Sequence, residues 1–148
     1  MNHYSMLSQR WRLKKQKTMF TIHQIKEAHS RVKSGADFPA YIRELIQLGV
    51  TSYSTFVSDG HARYVGKDGY EVLSGAKYDI LEIADTSNKH QFQKDLKAHQ
   101  EGRTGYPAFC SDCARSGIEK WMVDMETMTC TYYDKEGNEI VQEDIPAS

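Results

Sequence analysis

The sequence predicts an α+β fold: a single domain of two helix–helix–β-hairpin repeats, with antiparallel strands and helices packed on one face. Three observations support this prediction. Apolar residues recur at helical spacing in two separate stretches, and each stretch is followed by residues that alternate with a period of two. The second half of the chain can also be aligned with the first at a constant offset. At 148 residues the chain is long enough for one domain with its own core.

The first half begins with two predicted helices. Thr21 and Gln24 have the spacing of a capping box, which predicts a helix start, and Gly35 is the expected end of this helix. A second helix is predicted to begin near Pro39, because proline fits the first turn, where its missing N–H has no partner. Gly49 is the expected end of that helix.

Strands are predicted to follow Gly49. The residues alternate over 50–57, and Asp59-Gly60 then predicts a hairpin with a type I′ turn. A return strand, a turn at 67–69 and the strand "YEVL" follow. The alternating residues 78–84 predict a further strand.

The second half repeats this order. A shift of 68 residues places Pro39 on Pro107 and Gly49 on Gly117, so that a predicted helix start and a helix end coincide. The repeats span about residues 20–84 and 86–146, and the preceding helices correspond with a link that is two residues shorter in the second copy. One apolar face per strand predicts a sheet with helices on that face.

Charge is distributed unevenly along a chain whose net charge is -1. Residues 1–18 contain five basic and no acidic residues, and they have no helical apolar stripe. We expect a disordered extension, or an upstream start with Met19 as the usual first residue. The remaining chain, 19–148, is acidic on balance. We therefore expect no nucleic-acid binding except weak contacts of the basic tail. With no signal peptide and no span of about 20 apolar residues, the expected compartment is the cytoplasm.

The cysteines are Cys110, Cys113 and Cys130, of which the first two have C-x-x-C spacing. In the repeat alignment Cys110 falls on Ile42 and Cys113 on Leu45, which predicts that they are packed in the core. The alternative is a thiol or zinc protein that uses Cys110 and Cys113. A structural zinc site needs four ligands, however, and the sequence contains one such pair.

The motifs of common enzymes do not occur in this sequence. There is no glycine-rich phosphate loop, no pair of histidines at i,i+4 and no paired acidic residues of the hydrolase type. We therefore predict no catalytic residue, no metal ligand and no cofactor, and favour a binding protein over an enzyme. The candidate binding surface consists of His61, Arg63, Tyr70 and Tyr133.

Three functions follow from these patterns. The first is a binding protein that acts on a protein partner of unknown identity through the free face of the sheet or the groove between repeats. The second is a small-molecule-binding or enzymatic domain with its site at the repeat junction, which requires a deep pocket with convergent polar groups. The third is the thiol or zinc protein. The sequence does not predict an oligomeric state.

Long segments resemble a known family. The runs "SGADFPAYIRELIQLGVTSYSTFVSDGHARYVGKDGY", "LKAHQEGRT" and "GYPAFCSDCARSGIEKWMVDMETMTCTYYDKEGNEI" resemble the YdfO-like family of small enterobacterial proteins. Members are often prophage-encoded and sometimes labelled phage envelope protein. The resemblance covers residues 19 to 146 and implies a cytoplasmic α+β domain of unknown function. It also implies that the binding protein is a prophage-derived accessory protein whose partner is a host or phage protein. It assigns no role to any residue.

Overall fold

The computed structural model describes residues 18–33 and 35–146, so the extension predicted for 1–18 lies almost wholly outside the described residues. Within those ranges the chain has an α+β fold with four α-helices and one antiparallel sheet of six strands. The helices are α1 Ile22–His29, α2 Phe38–Leu48, α3 Lys89–Gln100 and α4 Tyr106–Arg115. The strands are β1 Val50–Phe56, β2 Ala62–Gly66, β3 Glu71–Ser74, β4 Lys120–Asp124, β5 Thr129–Tyr133 and β6 Glu139–Asp144.

The strands are ordered β3-β2-β1-β4-β5-β6, so the first strand of each half lies at the centre of the sheet. β1 and β4 pair antiparallel, with Ser54 opposite Met122 in the middle of the pairing. The inward side chains of these strands form the core with one side of each helix. No helix in the described part of the chain is long and apolar enough to cross a membrane.

Local chemistry determines most helix ends. Thr21 and Gln24 form both hydrogen bonds of the predicted capping box, and Pro39 lies in the first turn of α2. Gly49 ends α2 with a φ of 104°, a conformation that favours glycine. The prediction that Gly35 ends the first helix is wrong, because α1 already ends at His29. A Cβ at Gly35 would lie 2.5 Å from the carbonyl oxygen of His99, so this glycine permits the two halves to approach closely.

The predicted β1–β2 hairpin is present, but its turn is not of type I′. That turn needs positive φ at both central residues, and within the described residues the only non-glycine residues with positive φ are Asp68 and Met128. The N–H of Gly60 instead donates to the carbonyl of Phe56 at 2.8 Å, and the N–H of Phe56 donates to the carbonyl of His61 at 2.9 Å. The loop is therefore longer than the predicted two residues.

The strand predicted over 78–84 is wrong. This segment crosses from the sheet edge to α3 without regular structure, and its N–H groups donate to loop and helix carbonyls rather than to a strand. The N–H of Leu81 donates to Ser58, and that of Ala84 donates to Ala114 at the end of α4. Ile80 is 84% exposed, whereas Ile83 is buried. The alternating residues therefore belong to a connection that single buried side chains such as Ile83 hold against the core, and not to a strand.

Candidate functional site

A cavity of about 420 Å³ lies on the helix side of the sheet, at the junction of the two halves. We refer to it as the junction pocket. Both helix pairs and the centre of the sheet contribute to its walls. Its aromatic and imidazole lining consists of His29, Phe38, Tyr41, Tyr53, Tyr64, His99, Tyr106, Phe109, Trp121 and Tyr132.

His29 connects the two halves at one side of the pocket. It is the last residue of α1, and its ring packs edge to face against Tyr41 of α2, with centroids 5.3 Å apart. On its other side it packs edge to face against Tyr106, the first residue of α4, at 5.2 Å. The helices of the two halves therefore meet through an imidazole between two phenol rings.

The ring contacts continue over the sheet. In the first half Tyr41 contacts Tyr53 at 6.3 Å between centroids, and Tyr53 contacts Tyr64 of the neighbouring strand at 5.3 Å. In the second half Trp121 contacts Tyr106 at 6.3 Å and Tyr132 at 6.1 Å. The pocket is thus surrounded by aromatic rings that position one another.

The two histidines of the pocket are kept neutral by their surroundings. Burial, together with the nearby charge of Lys77, lowers the pKa of His29 to about 4. His99 stacks on Phe109 with centroids 4.3 Å apart, and burial lowers the pKa of its imidazole as well. At neutral pH both rings can donate and accept hydrogen bonds without carrying charge.

Tyr41 provides a buried hydroxyl without a hydrogen-bond partner among the described residues. The residue is 4% exposed, and burial raises the pKa of its phenol well above the ordinary value. The hydroxyl of Tyr64 is near enough to contribute to this shift, although the contact falls short of ordinary hydrogen-bond geometry. The ring of Tyr41 lines the pocket, whereas its hydroxyl oxygen has almost no accessible surface.

Both halves of the chain contribute charged groups to the lining of the junction pocket. Lys77 reaches it from the β3–α3 connection, beside a second hollow of about 310 Å³ that it also lines. Glu143 and Asp144 of β6 lie on the wall contributed by the second half. The side-chain amide of Gln100 donates to Glu143 at 2.5 Å, so that carboxylate already has a partner.

The cysteines are buried and not disulfide-bonded. Cys110 and Cys113 lie on the inner face of α4, where α2 has the buried residues Ile42 and Leu45. Burial raises the pKa of all three thiols, that of Cys130 to about 12. Among residues 18–33 and 35–146, no group of three or more His, Cys, Asp or Glu side chains is arranged to hold a metal ion.

The candidate surface predicted from the sequence is divided in the structure. Arg63 lies on the free face of the sheet, where it forms an ion pair with Glu71 at 2.6 Å. His61 and Tyr133 lie along the same face, at the two ends of the row described below. Tyr70 lies elsewhere: its hydroxyl donates to the carbonyl of Phe20 at 2.6 Å, and its ring packs against Phe20 on the core side.

Phe56 and Lys120 connect His61 with Tyr133. His61 stacks on Phe56 with centroids 4.4 Å apart, and the amino group of Lys120 lies over the rings of both Phe56 and Tyr133. Asp59 holds the imidazole of His61, since their side chains are 2.5 Å apart. Three of the four predicted residues are therefore on one face.

The junction pocket itself was not predicted residue by residue. The sequence places its tyrosines in strands with one inward face, which is equally typical of a closed core. The available signal was the number of phenol groups among these inward residues, because each hydroxyl needs a partner when it is buried.

A known protein family matches most of the chain. Residues 26–144 match the family described as "Protein of unknown function (DUF1398)". The chain belongs to this family. It is also similar to the "Uncharacterized protein YcgX" of Escherichia coli (strain K12), with 20% identity over 115 residues, which cover 78% of this chain and 86% of the relative. In this DUF1398 chain the matched range contains every residue of the aromatic lining.

Proposed function

We propose that the protein binds a small, largely apolar organic molecule in the junction pocket. The observation that carries this proposal is a cavity of about 420 Å³ lined largely by aromatic rings, with the imidazoles of His29 and His99 in its wall. Protein interiors are otherwise close-packed, with few voids larger than a water molecule. Ligand pockets have volumes of about 300–1,000 Å³ and combine apolar walls with a few placed polar groups.

We also propose that the two halves are copies of one unit and that the pocket lies between them. Strand pairing supports this: Tyr53 pairs with Tyr64 in β1–β2, and at the 68-residue offset Trp121 pairs with Tyr132 in β4–β5. Val65 opposite Glu71 corresponds in the same way to Tyr133 opposite Glu139. The register of β5–β6 then shifts by one residue at the irregularity between Tyr132 and Tyr133.

The pocket lining follows the same correspondence. Tyr41 corresponds to Phe109, Tyr53 to Trp121 and Tyr64 to Tyr132. The shorter helix link gives the first helices an offset of 70, which matches His29 with His99. Each of these histidines packs on the ring that its own half supplies, Tyr41 or Phe109. A pocket built twice from one unit would lie at the axis that relates the copies.

The test is a binding measurement with the neutral fluorescent probe N-phenyl-1-naphthylamine. We expect saturable binding to the native protein and loss of binding in Ala36→Trp, since Ala36 is exposed at the pocket wall and tolerates a larger side chain without disturbing the core. Ala108→Trp is the matched control, because Ala108 is exposed on α4 outside the pocket lining. Absence of binding to the native protein, or equal binding by both variants, would contradict the proposal.

A second candidate function is the protein binding expected from the sequence. It is favoured by apolar exposure on the free face of the sheet, where Leu73 is 63% and Met122 is 37% exposed. Both side chains lie on the same face of the sheet as Arg63. Leu73 is opposite Arg63 in β2–β3, Arg63 is opposite Ser54 in β1–β2, and Ser54 is opposite Met122 in β1–β4. Partner capture with the native chain and with Leu73→Lys/Met122→Lys tests this function. A partner retained equally by both chains would exclude this face.

The YdfO-like resemblance adds an expectation of prophage origin. Membership of a family of unknown function is compatible with that origin and leaves the activity open. Identification of the genes next to the one that encodes this chain would test the expectation, since a prophage gene lies among other phage genes.

A further inference from the structure

The two halves of the chain contribute corresponding aromatic rings to the junction pocket but different polar groups. At the 68-residue offset Tyr41 corresponds to Phe109, which has no hydroxyl. Beyond the irregularity in β5–β6 the offset is 69, since Ser74 is opposite Ala62 and Glu143 is opposite Cys130. Lys77 then corresponds to Pro146, which has no charge, and all four residues line the pocket. The charged amino group is therefore supplied by the first half alone.

Lys77 has no acidic partner among the described residues. The ion pairs in this part of the chain use other basic residues, and the neighbours that influence Lys77 are Cys110 and Lys26. The residue as a whole is exposed, but its amino group is partly buried, and this burial lowers its pKa. A partly desolvated cation without a counter-ion is stabilised by any anion that reaches it.

Tyr41 and Lys77 are both neighbours of the same imidazole. The ring of Tyr41 contacts His29, and Lys77 is close enough to His29 for its charge to disfavour protonation of the ring. The amino group of Lys77 supplies donors, and the neutral imidazole of His29 can donate or accept a hydrogen bond. This side of the pocket thus offers donors and positive charge.

The wall contributed by the second half has the reverse character. Glu143 and Asp144 line the pocket there and would repel a second anionic group. The aromatic rings of the lining favour an apolar or aromatic body.

We propose that the ligand of the junction pocket is a monoanionic amphiphile of the hydrophobic carboxylate class, with its anionic group bound by Lys77. This inference rests on the proposed function, because it identifies the chemistry of the molecule that the same pocket binds. The hydrophobic body lies among the aromatic rings, and the single negative charge faces away from Glu143 and Asp144.

The experiment compares two fluorescent probes with the same rings. 1-Anilinonaphthalene-8-sulfonate carries one negative charge, whereas N-phenyl-1-naphthylamine lacks the sulfonate and is neutral. We expect the native protein to bind the anionic probe about tenfold more tightly than the neutral one, since a charge-assisted contact corresponds to about one order of magnitude in affinity. Lys77→Met is expected to remove this preference and to leave the affinity for the neutral probe within about twofold.

Three controls locate the effect. Lys77→Gln is the second variant should Lys77→Met fail to fold, and it is likewise expected to weaken binding of the anionic probe only. Lys94→Met is the matched charge control, because Lys94 is exposed on α3 outside the pocket lining. Ala36→Trp is expected to abolish binding of both probes, which separates the pocket from other hydrophobic surfaces.

The outcomes separate the two proposals. Binding of the neutral probe in the pocket without preference for the anionic one overturns the carboxylate inference and leaves the proposed function standing. A preference that Lys77→Met and Lys77→Gln do not reduce, or that Lys94→Met reduces equally, also overturns the inference. Failure of both probes to bind the native protein overturns the proposed function and the inference together.

Discussion

The imidazole of His29 and the phenol ring of Tyr106 meet edge to face across the junction, with their centroids 5.2 Å apart. One ring ends the first helix of the first half and the other begins the second helix of the second half. The packing of the two helix pairs against each other therefore includes a titratable group.

Stability should consequently depend on pH between about 6.5 and 4. The pKa of His29 is lowered to about 4 in the folded chain, whereas the unfolded chain takes up this proton near 6.5. Well above pH 6.5 the imidazole is neutral in both states, and as the pH falls the unfolded state binds more protons, so stability decreases. The full difference corresponds to about 3 kcal/mol and is reached only below the folded-state pKa. His99, whose pKa is also lowered by burial, acts in the same direction.

Urea unfolding at pH 7.5 and pH 4.5 measures this effect. His29→Phe keeps a ring at the junction and is expected to reduce the loss of stability on acidification, and His29→Phe/His99→Phe is expected to reduce it further. His90→Phe is the matched control, since His90 is exposed on α3. An unchanged pH dependence in the double variant would contradict this account.

Removal of two tyrosine hydroxyls should have opposite effects. Tyr41→Phe removes a buried hydroxyl that has no partner in the described chain, and we expect it to stabilise the ligand-free protein by about 1 kcal/mol. Tyr70→Phe removes a donor to the carbonyl of Phe20 and is expected to destabilise by about 1 kcal/mol. Urea denaturation of both variants provides the comparison, and destabilisation by Tyr41→Phe would indicate that its hydroxyl is hydrogen-bonded.

The sequence predicts helix ends that depend on neighbouring residues better than it predicts features that depend on tertiary contacts. The capping box of Thr21, the proline of α2 and the glycine at 49 are each determined by a few neighbouring residues, and all three predictions are confirmed. Gly35 and the segment 78–84 depend on distant groups, the carbonyl of His99 and the loop carbonyls near Ser58. For these two features the same local pattern is compatible with more than one tertiary arrangement.

The existence of the junction pocket also depends on tertiary contacts that the sequence pattern does not reveal. Alternation predicts that Tyr53, Tyr64 and Trp121 face inward, and they do. Whether inward rings close over a solid core or surround a cavity depends on how far apart the helix pairs lie. That distance is fixed by contacts between the halves, such as His29 with Tyr106 and Gly35 with His99, which are remote in sequence.

The three thiols should be unreactive in the native protein. Cys110, Cys113 and Cys130 are buried, and burial raises the pKa of each thiol, which leaves little thiolate at neutral pH. We expect titration with 5,5′-dithiobis(2-nitrobenzoic acid) at pH 8 to be slow in buffer and complete in guanidinium chloride. A thiol that reacts rapidly in buffer would favour the thiol hypothesis instead.

Gly117 should tolerate a side chain less well than Gly137, although both have positive φ, 78° and 84°. A Cβ at Gly117 would lie 2.8 Å from the carbonyl oxygen of Thr86 and 2.8 Å from the Cα of Ser87, whereas a Cβ at Gly137 meets nothing within 4 Å. Replacement by alanine at Gly137 measures the conformational penalty alone, about 1 kcal/mol. Gly117→Ala adds the displacement of backbone at the start of α3, and we expect it to destabilise by at least about 1 kcal/mol more. Urea denaturation of the two variants checks the difference, and equal losses would show that the connection before α3 moves without resistance.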